Sequence, residues 1–158
     1  MASGTPQPVI LMSRFRDTLP PDARTFDSRL QVQWADVDIA GIMYFAAYSR
    51  FAEYAEMQFF ADLGFPYESV FGEYGFWLPR VRVEAEYFAP ALMSDWIRMR
   101  THVEHVGASS VHWKTVFFNE RTGAAGAAMK LFVAAIDAET KKSCPLPEPI
   151  RSALIACA

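Results

Sequence analysis

Cysteine is nearly missing from this chain. Cys144 and Cys157 are the two among 158 residues, too few for a disulfide framework or a four-ligand zinc site. No apolar run approaches the roughly 20 residues of a membrane-spanning helix. No charged, apolar leader opens the chain either, so the expectation is a reduced, cytoplasmic protein without a membrane span. Neither sign of charge dominates: 15 basic residues against 18 acidic ones leave a formal net charge of −3. That balance argues against nucleic acid as a partner. Internal repeats, low-complexity tracts, a P-loop, a G-x-S-x-G elbow and a dinucleotide G-x-G-x-x-G are also absent. Nothing in the residues calls for a cofactor.

What is present is apolar surface. Hydrophobic residues make up 52% and aromatics 15%, enough to exclude disorder and to build one domain's core. The share is high for a small monomer, so a subunit interface is expected. Four of the ten prolines, Pro6, Pro8, Pro20 and Pro21, crowd the first 25 residues. Proline fixes φ and removes a donor, so residues 1–25 read as an irregular N-terminal arm and 26–158 as a single domain.

Periodicity places the elements. Phe26 to Trp34 alternates loosely, with Phe26, Leu30, Val32 and Trp34 on one parity, and reads as a strand. A helix is expected from about Ala46 to Leu63. Tyr48, Phe51, Ala52, Ala55, Phe59 and Leu63 form its apolar stripe, and Ser49, Arg50, Glu53 and Glu56 its polar side. Met57 and Phe60 intrude on that side, which implies cover from more than one direction. Gly64 and Pro66 stop it. Arg80 to Tyr87 alternates strictly, Val81, Val83, Ala85 and Tyr87 against Arg80, Arg82, Glu84 and Glu86. Trp96–Glu104, Ser110–Phe118 and Ala127–Ile136 follow as strands of an antiparallel meander, and 150–156 as a short last helix. The economical plan is α+β: one antiparallel sheet of about five strands wrapped on one long helix.

Few residues here invite chemistry. His102, His105 and His112 fall in the sheet, and His102 and His105 are spaced to opposite faces of a strand, a poor metal pair. Asp36-x-Asp38-x-x-Gly41 opens like a calcium loop, but Ala40 and Ala47 stand where oxygen ligands belong, so no metal site is expected. What remains is two carboxylates just before a long helix. A helix N-terminus presents unpaired N–H groups and partial positive charge, which polarise a carbonyl as an oxyanion hole does. A nearby carboxylate can attack that carbonyl or activate water. The same aspartates can equally cap the turn and the helix. Spacing alone leaves both open.

The run Val32-Gln33-Trp34-Ala35-Asp36-Val37-Asp38-Ile39-Ala40-Gly41-Ile42-Met43-Tyr44-Phe45-Ala46-Ala47-Tyr48, with Phe51-Ala52-Glu53 and Glu84-Ala85-Glu86-Tyr87-Phe88-Ala89-Pro90, resembles the 4-hydroxybenzoyl-CoA thioesterase family of hotdog-fold proteins. The likeness covers about residues 26 to 140. It implies a hotdog fold and hydrolysis of an acyl-CoA or aroyl-CoA thioester. It further implies that Asp38 is the catalytic carboxylate, as nucleophile or as general base. Backbone N–H groups around Tyr44 and Phe45 would bind the thioester oxygen, and Gly41 would shape the turn and admit substrate. Asp36 would be structural. Phe45 stands where some relatives carry His or Tyr, so no side-chain help is expected there. Glu53, on the helix, is a second and more distant candidate, and Ser109 and Ser110 could touch ligand.

Other readings share these residues: a thioesterase acting on carrier-protein-bound acyl groups, a dehydratase disfavoured by where the histidines fall, and a non-catalytic acyl-thioester-binding protein. Arg80, Arg82, Lys141 and Lys142 are available for coenzyme phosphates. Phe59, Phe60, Phe71, Tyr74, Phe76 and Trp77 are expected around the acyl group. A homodimer or homotetramer with sheets joined side by side completes the expectation.

Overall fold

Strands hold more of this chain than helices do, and alternating side chains put them there. The computed structural model describes Leu19 and residues 22–158, so the arm expected over residues 1–25 lies mostly outside it. The elements run β1 (Phe26–Gln31), α1 (Ala47–Asp62), α2 (Tyr67–Glu73), β2 (Phe76–Trp77), β3 (Arg80–Tyr87), β4 (Trp96–Val106), β5 (Ser110–Asn119), β6 (Ala125–Ala134), β7 (Ile136–Asp137) and α3 (Glu148–Ile155). Five strands form one antiparallel sheet in the order β1-β4-β5-β6-β3. β4, β5 and β6 are the expected meander, while β3 closes one edge and β1 the other. The sheet wraps α1, and this is the α+β hotdog arrangement.

The core lies between α1 and the inner sheet face. Phe51, Ala52, Ala55 and Phe59 of α1 meet Met99, Trp113, Phe117, Met129 and Leu131 of the strands, all buried. The Phe59 ring is 4.7 Å from that of Phe26, 5.2 Å from Phe60 and 6.3 Å from Trp113. Phe60 meets Trp113 at 6.2 Å and also Tyr67 of α2 at 5.8 Å, so α2 supplies the second cover that the intruding aromatics implied. Gly64, at φ +85°, ends α1 in the left-handed region that glycine adopts without strain.

Four expectations need correction. β1 stops at Gln31, and Trp34–Asp36 form a 3-10 turn with Trp34 80% exposed. The Asp36 carboxylate accepts the Gln33 N–H at 2.8 Å and so closes a turn where a strand was expected. The strand expected over Ala127–Ile136 is two: Ala135 gives its N–H to Ser109, and β7 pairs instead with β2. α2 and β2 had no counterpart in the periodicity. Finally, Arg80 leaves the polar face of β3. The ladder shifts register between Arg80 and Arg82, and this bulge turns Arg80 toward α1.

Phe59→Ala should cost about 3–5 kcal/mol of folding stability, because the cavity would open among three rings. Urea unfolding measures it, and a loss under about 1 kcal/mol would contradict this description of the core.

Candidate active site

The Asp36–Asp38 segment bends back on itself. Val37 bridges to Met43 and Ile42 to Leu92, and the Asp38 N–H donates to the Ile42 carbonyl at 3.0 Å. Gly41 sits at φ +74° with open space where a Cβ would be. Conformation, then, is what demands glycine at this corner.

The two aspartates meet opposite fates. Asp36 is buried, and both its oxygens are engaged: Arg50 of α1 donates through Nε at 3.0 Å and Nη2 at 2.5 Å, beside the Gln33 N–H. Asp38 is exposed. Its Oδ1 accepts the Ala40 N–H at 2.8 Å, while Oδ2 has no partner among the described residues. Asp38 lies in a cleft of about 630 Å³ with Trp34, Val37, Ile39, Leu92 and Met93. Buried Asp95 holds Leu92 in place. It accepts the Leu92 N–H at 2.9 Å while bonded to Arg121 and Asn119. The Arg121 guanidinium, above all, draws the Asp95 carboxyl down to about 2.

α1 begins beside this turn without a side-chain cap. The Tyr44 N–H is already given to the Asp36 carbonyl at 3.1 Å. The N–H groups of Phe45 and Ala46 have no acceptor among the described residues, so the free donors lie one residue further along than the Tyr44–Phe45 pair expected. Phe45 lines a second cleft of about 380 Å³ with Ile42, Tyr48, Tyr87 and Phe88. Ile42 of this cleft is bridged to Leu92 of the first. The Tyr87 hydroxyl donates to the Phe45 carbonyl at 3.2 Å. Burial pushes the Tyr48 hydroxyl up to about 12 and the Tyr87 hydroxyl upward as well, so both stay protonated donors.

A third cleft of about 430 Å³ lies between α1 and β3, with Arg50, Glu53, Arg80, Val83, Met129 and Leu131 on its walls. Glu53 is therefore separated from the Asp38 cleft, and Arg50 beside it on the same wall is the partner of Asp36. Beneath it Glu56 is wholly buried and paired with Arg80. Burial raises the Glu56 carboxyl to about 7 against the pull of Arg80. Glu56 was expected on the polar side of α1. The bulge that turns Arg80 inward is what allows a carboxylate to remain there.

The other candidates fall elsewhere. Phe59 and Phe60 are core, Phe71 and Phe76 pack on each other at 6.2 Å, and none of the six expected aromatics lines these three clefts. His102 is buried with its pKa lowered, chiefly by desolvation, and His105 stacks on His112 at 5.0 Å. Ser109 and Ser110 lie at the β4–β5 turn. Of the cations expected for phosphates, Arg80 reaches a cleft, Arg82 pairs with Glu84, and Lys141 lies 3.4 Å over the Trp77 ring. Sequence reasoning missed Arg50, Glu56, Leu92 and Met93. Arg50 and Glu56 carried one available signal, a charge beside an apolar stripe that is too wide. No helix of the described residues is long and apolar enough to cross a membrane.

Residues 32–154 match the family described as the thioesterase-like superfamily. The 1,4-dihydroxy-2-naphthoyl-CoA hydrolase of Thermosynechococcus vestitus is 23% identical over 124 residues, 78% of this chain and 84% of that protein. A 1,4-dihydroxy-2-naphthoyl-CoA thioesterase from Synechocystis superposes with a TM-score of 0.76 at 23% identity, over 83% of this chain and 96% of that one. A Staphylococcus aureus protein solved in complex with CoA gives a TM-score of 0.77 at 14% identity, over 85% and 84% of the two chains.

Two measurements check this geometry. Arg50→Met should cost about 2 kcal/mol or more in urea unfolding, since it leaves the buried Asp36 carboxylate unpaired. A cost within about 0.5 kcal/mol of zero, the range of ordinary surface changes, would contradict the pairing. Glu56 sets a pH dependence. Its folded value is raised above the unfolded one, so its contribution to stability is full below the unfolded value of 4.5 and is lost as pH rises through about 7. Wild type should therefore lose more stability than Glu56→Gln between pH 5 and 8. Parallel stability curves would contradict it.

Proposed function

The chain belongs to the thioesterase-like superfamily, and from that premise we propose that it hydrolyses an acyl-CoA or aroyl-CoA thioester to the free acid and CoA. One observation carries the reading: of two aspartates in one turn, Asp36 is consumed by structure while Asp38 faces an open, apolar cleft with a free oxygen. The thioester carbonyl is oriented toward the Phe45 and Ala46 N–H groups at the uncapped start of α1. There the helix dipole and the donors stabilise the oxyanion. Asp38 either attacks the carbonyl carbon or takes a proton from the attacking water. Attack releases CoA as its thiolate and leaves a mixed anhydride that water opens. Proton transfer to Asp38 reaches the same products in one hydrolytic step. Neither route requires a cofactor.

The apolar rim of the Asp38 cleft, Trp34, Ile39, Leu92 and Met93, suits an apolar acyl group. The same chemistry accepts a carrier-protein thioester as donor, since the phosphopantetheine arm is common to both. The assembly is a homodimer or a larger homo-oligomer. β3 is an edge strand with Val81 64%, Val83 49% and Tyr87 48% exposed, and joining two such edges buries them.

Purified protein offered a panel of aliphatic and aromatic CoA thioesters should release thiol, read with a thiol reagent, well above the buffer rate for at least one. Silence across the panel would overturn the hydrolase. In light scattering the wild type should be dimeric or larger and Val83→Lys should shift toward monomer. A monomeric wild type at micromolar concentration would contradict the joined edges.

A further inference from the structure

Tyr87 has a bond that packing does not require. Its ring meets that of Tyr48 edge-on at 5.2 Å, and Tyr48 in turn meets Phe117 in the core at 5.3 Å. A phenylalanine would fill that place equally well. The hydroxyl reaches instead across 42 residues of sequence to the Phe45 carbonyl at 3.2 Å. That carbonyl lies at the entry to α1, where the first turn is tightened: Ser49 gives its N–H to Ala46 at 3.1 Å and so bypasses Phe45. The Phe45 side chain, 73% exposed, does nothing to fix its own backbone. Among the described residues the Tyr87 hydroxyl is the group that holds this carbonyl.

The Phe45 carbonyl and the Ala46 N–H belong to one planar peptide unit. Fixing one end fixes the direction of the other, and donating to the carbonyl oxygen makes the N–H a stronger donor. We propose that Tyr87 is a positioning residue for hydrolysis: through the Phe45–Ala46 peptide it aims and polarises the Ala46 N–H at the thioester oxygen. The inference rests on the thioesterase reading and adds to it a residue with no contact to the reacting atoms. The bond lies on the wall of the second cleft. Ile42, Met43, Phe45, Phe88, Ala89 and Pro90 line it, and Tyr48 is the other titratable group.

The test is steady-state kinetics of Tyr87→Phe on the best thioester of the panel, with thermal unfolding alongside. The variant should fold like wild type and lose about tenfold in kcat, the upper range for one hydrogen bond, with KM within about twofold. A second variant places 3,5-difluorotyrosine at position 87. Its phenol ionises near neutrality and then cannot donate, so kcat should fall with rising pH through that ionisation while wild type stays level. A kcat within about twofold of wild type for Tyr87→Phe overturns the inference, since the bond would then be worth less than about a third of the expected barrier change. So does a pH profile unchanged by fluorination. A wild type active on the panel with an equally active Tyr87→Phe removes this inference alone. A wild type silent on every thioester removes the thioesterase reading and this inference together.

Discussion

The ion pair between Asp36 and Arg50 fixes the candidate site. It joins a 3-10 turn that sequence-local bonds alone would hold loosely to the second turn of α1. The Asp36 carbonyl adds the Tyr44 N–H, so one residue binds α1 through its side chain and the segment leading into α1 through its backbone. Burial makes the contact demanding, since a carboxylate taken out of water must keep its partners. Because Asp36 satisfies that demand, Asp38 two residues later has no structural debt beyond one turn bond, and its carboxylate is left to the cleft.

The same logic recurs at two other buried carboxylates. Glu56 is buried against Arg80, and Asp95 against Arg121 and Asn119. Each pair fastens a wall of a cleft to the core: Arg80 at the α1–β3 groove, and the Leu92–Met93 segment opposite Asp38. The apolar core between α1 and the sheet supplies the bulk of the stability. These three carboxylates decide where the polar and apolar edges of the clefts lie. Tyr87 does the corresponding work at the helix mouth with a neutral hydroxyl.

Much of this was legible in local pattern. Strict alternation from Arg80 to Tyr87 and the stripe of α1 marked both elements to within about one residue. The spacing of the D-x-D-x-x-G turn left capping and chemistry open for both aspartates. The family resemblance implied a structural Asp36, which its bonds to Gln33 and Arg50 match, and the role of Asp38 is a proposal. What escaped depends on contacts remote in sequence. A bulge at Val81 has no local signature, and without it neither the inward turn of Arg80 nor the burial of Glu56 can be foreseen. Phe59, Phe60 and Phe76 read equally well as core or as pocket, because an aromatic side chain suits both. Only the packing of α2 and Trp113 assigned them to the core. The donors at the helix mouth moved one residue along for a similar reason: the Asp36 carbonyl claims the Tyr44 N–H across the turn.

The central claim is the division of labour between two aspartates in one turn. Measuring kcat and unfolding temperature for Asp36→Asn and Asp38→Asn side by side tests it directly. Asp38→Asn should keep its unfolding temperature within a few degrees and lose at least about 10²-fold in kcat. Asp36→Asn should unfold earlier while each folded molecule retains more of its turnover. A folded Asp38→Asn protein that hydrolyses thioester at near the wild-type rate would contradict the account.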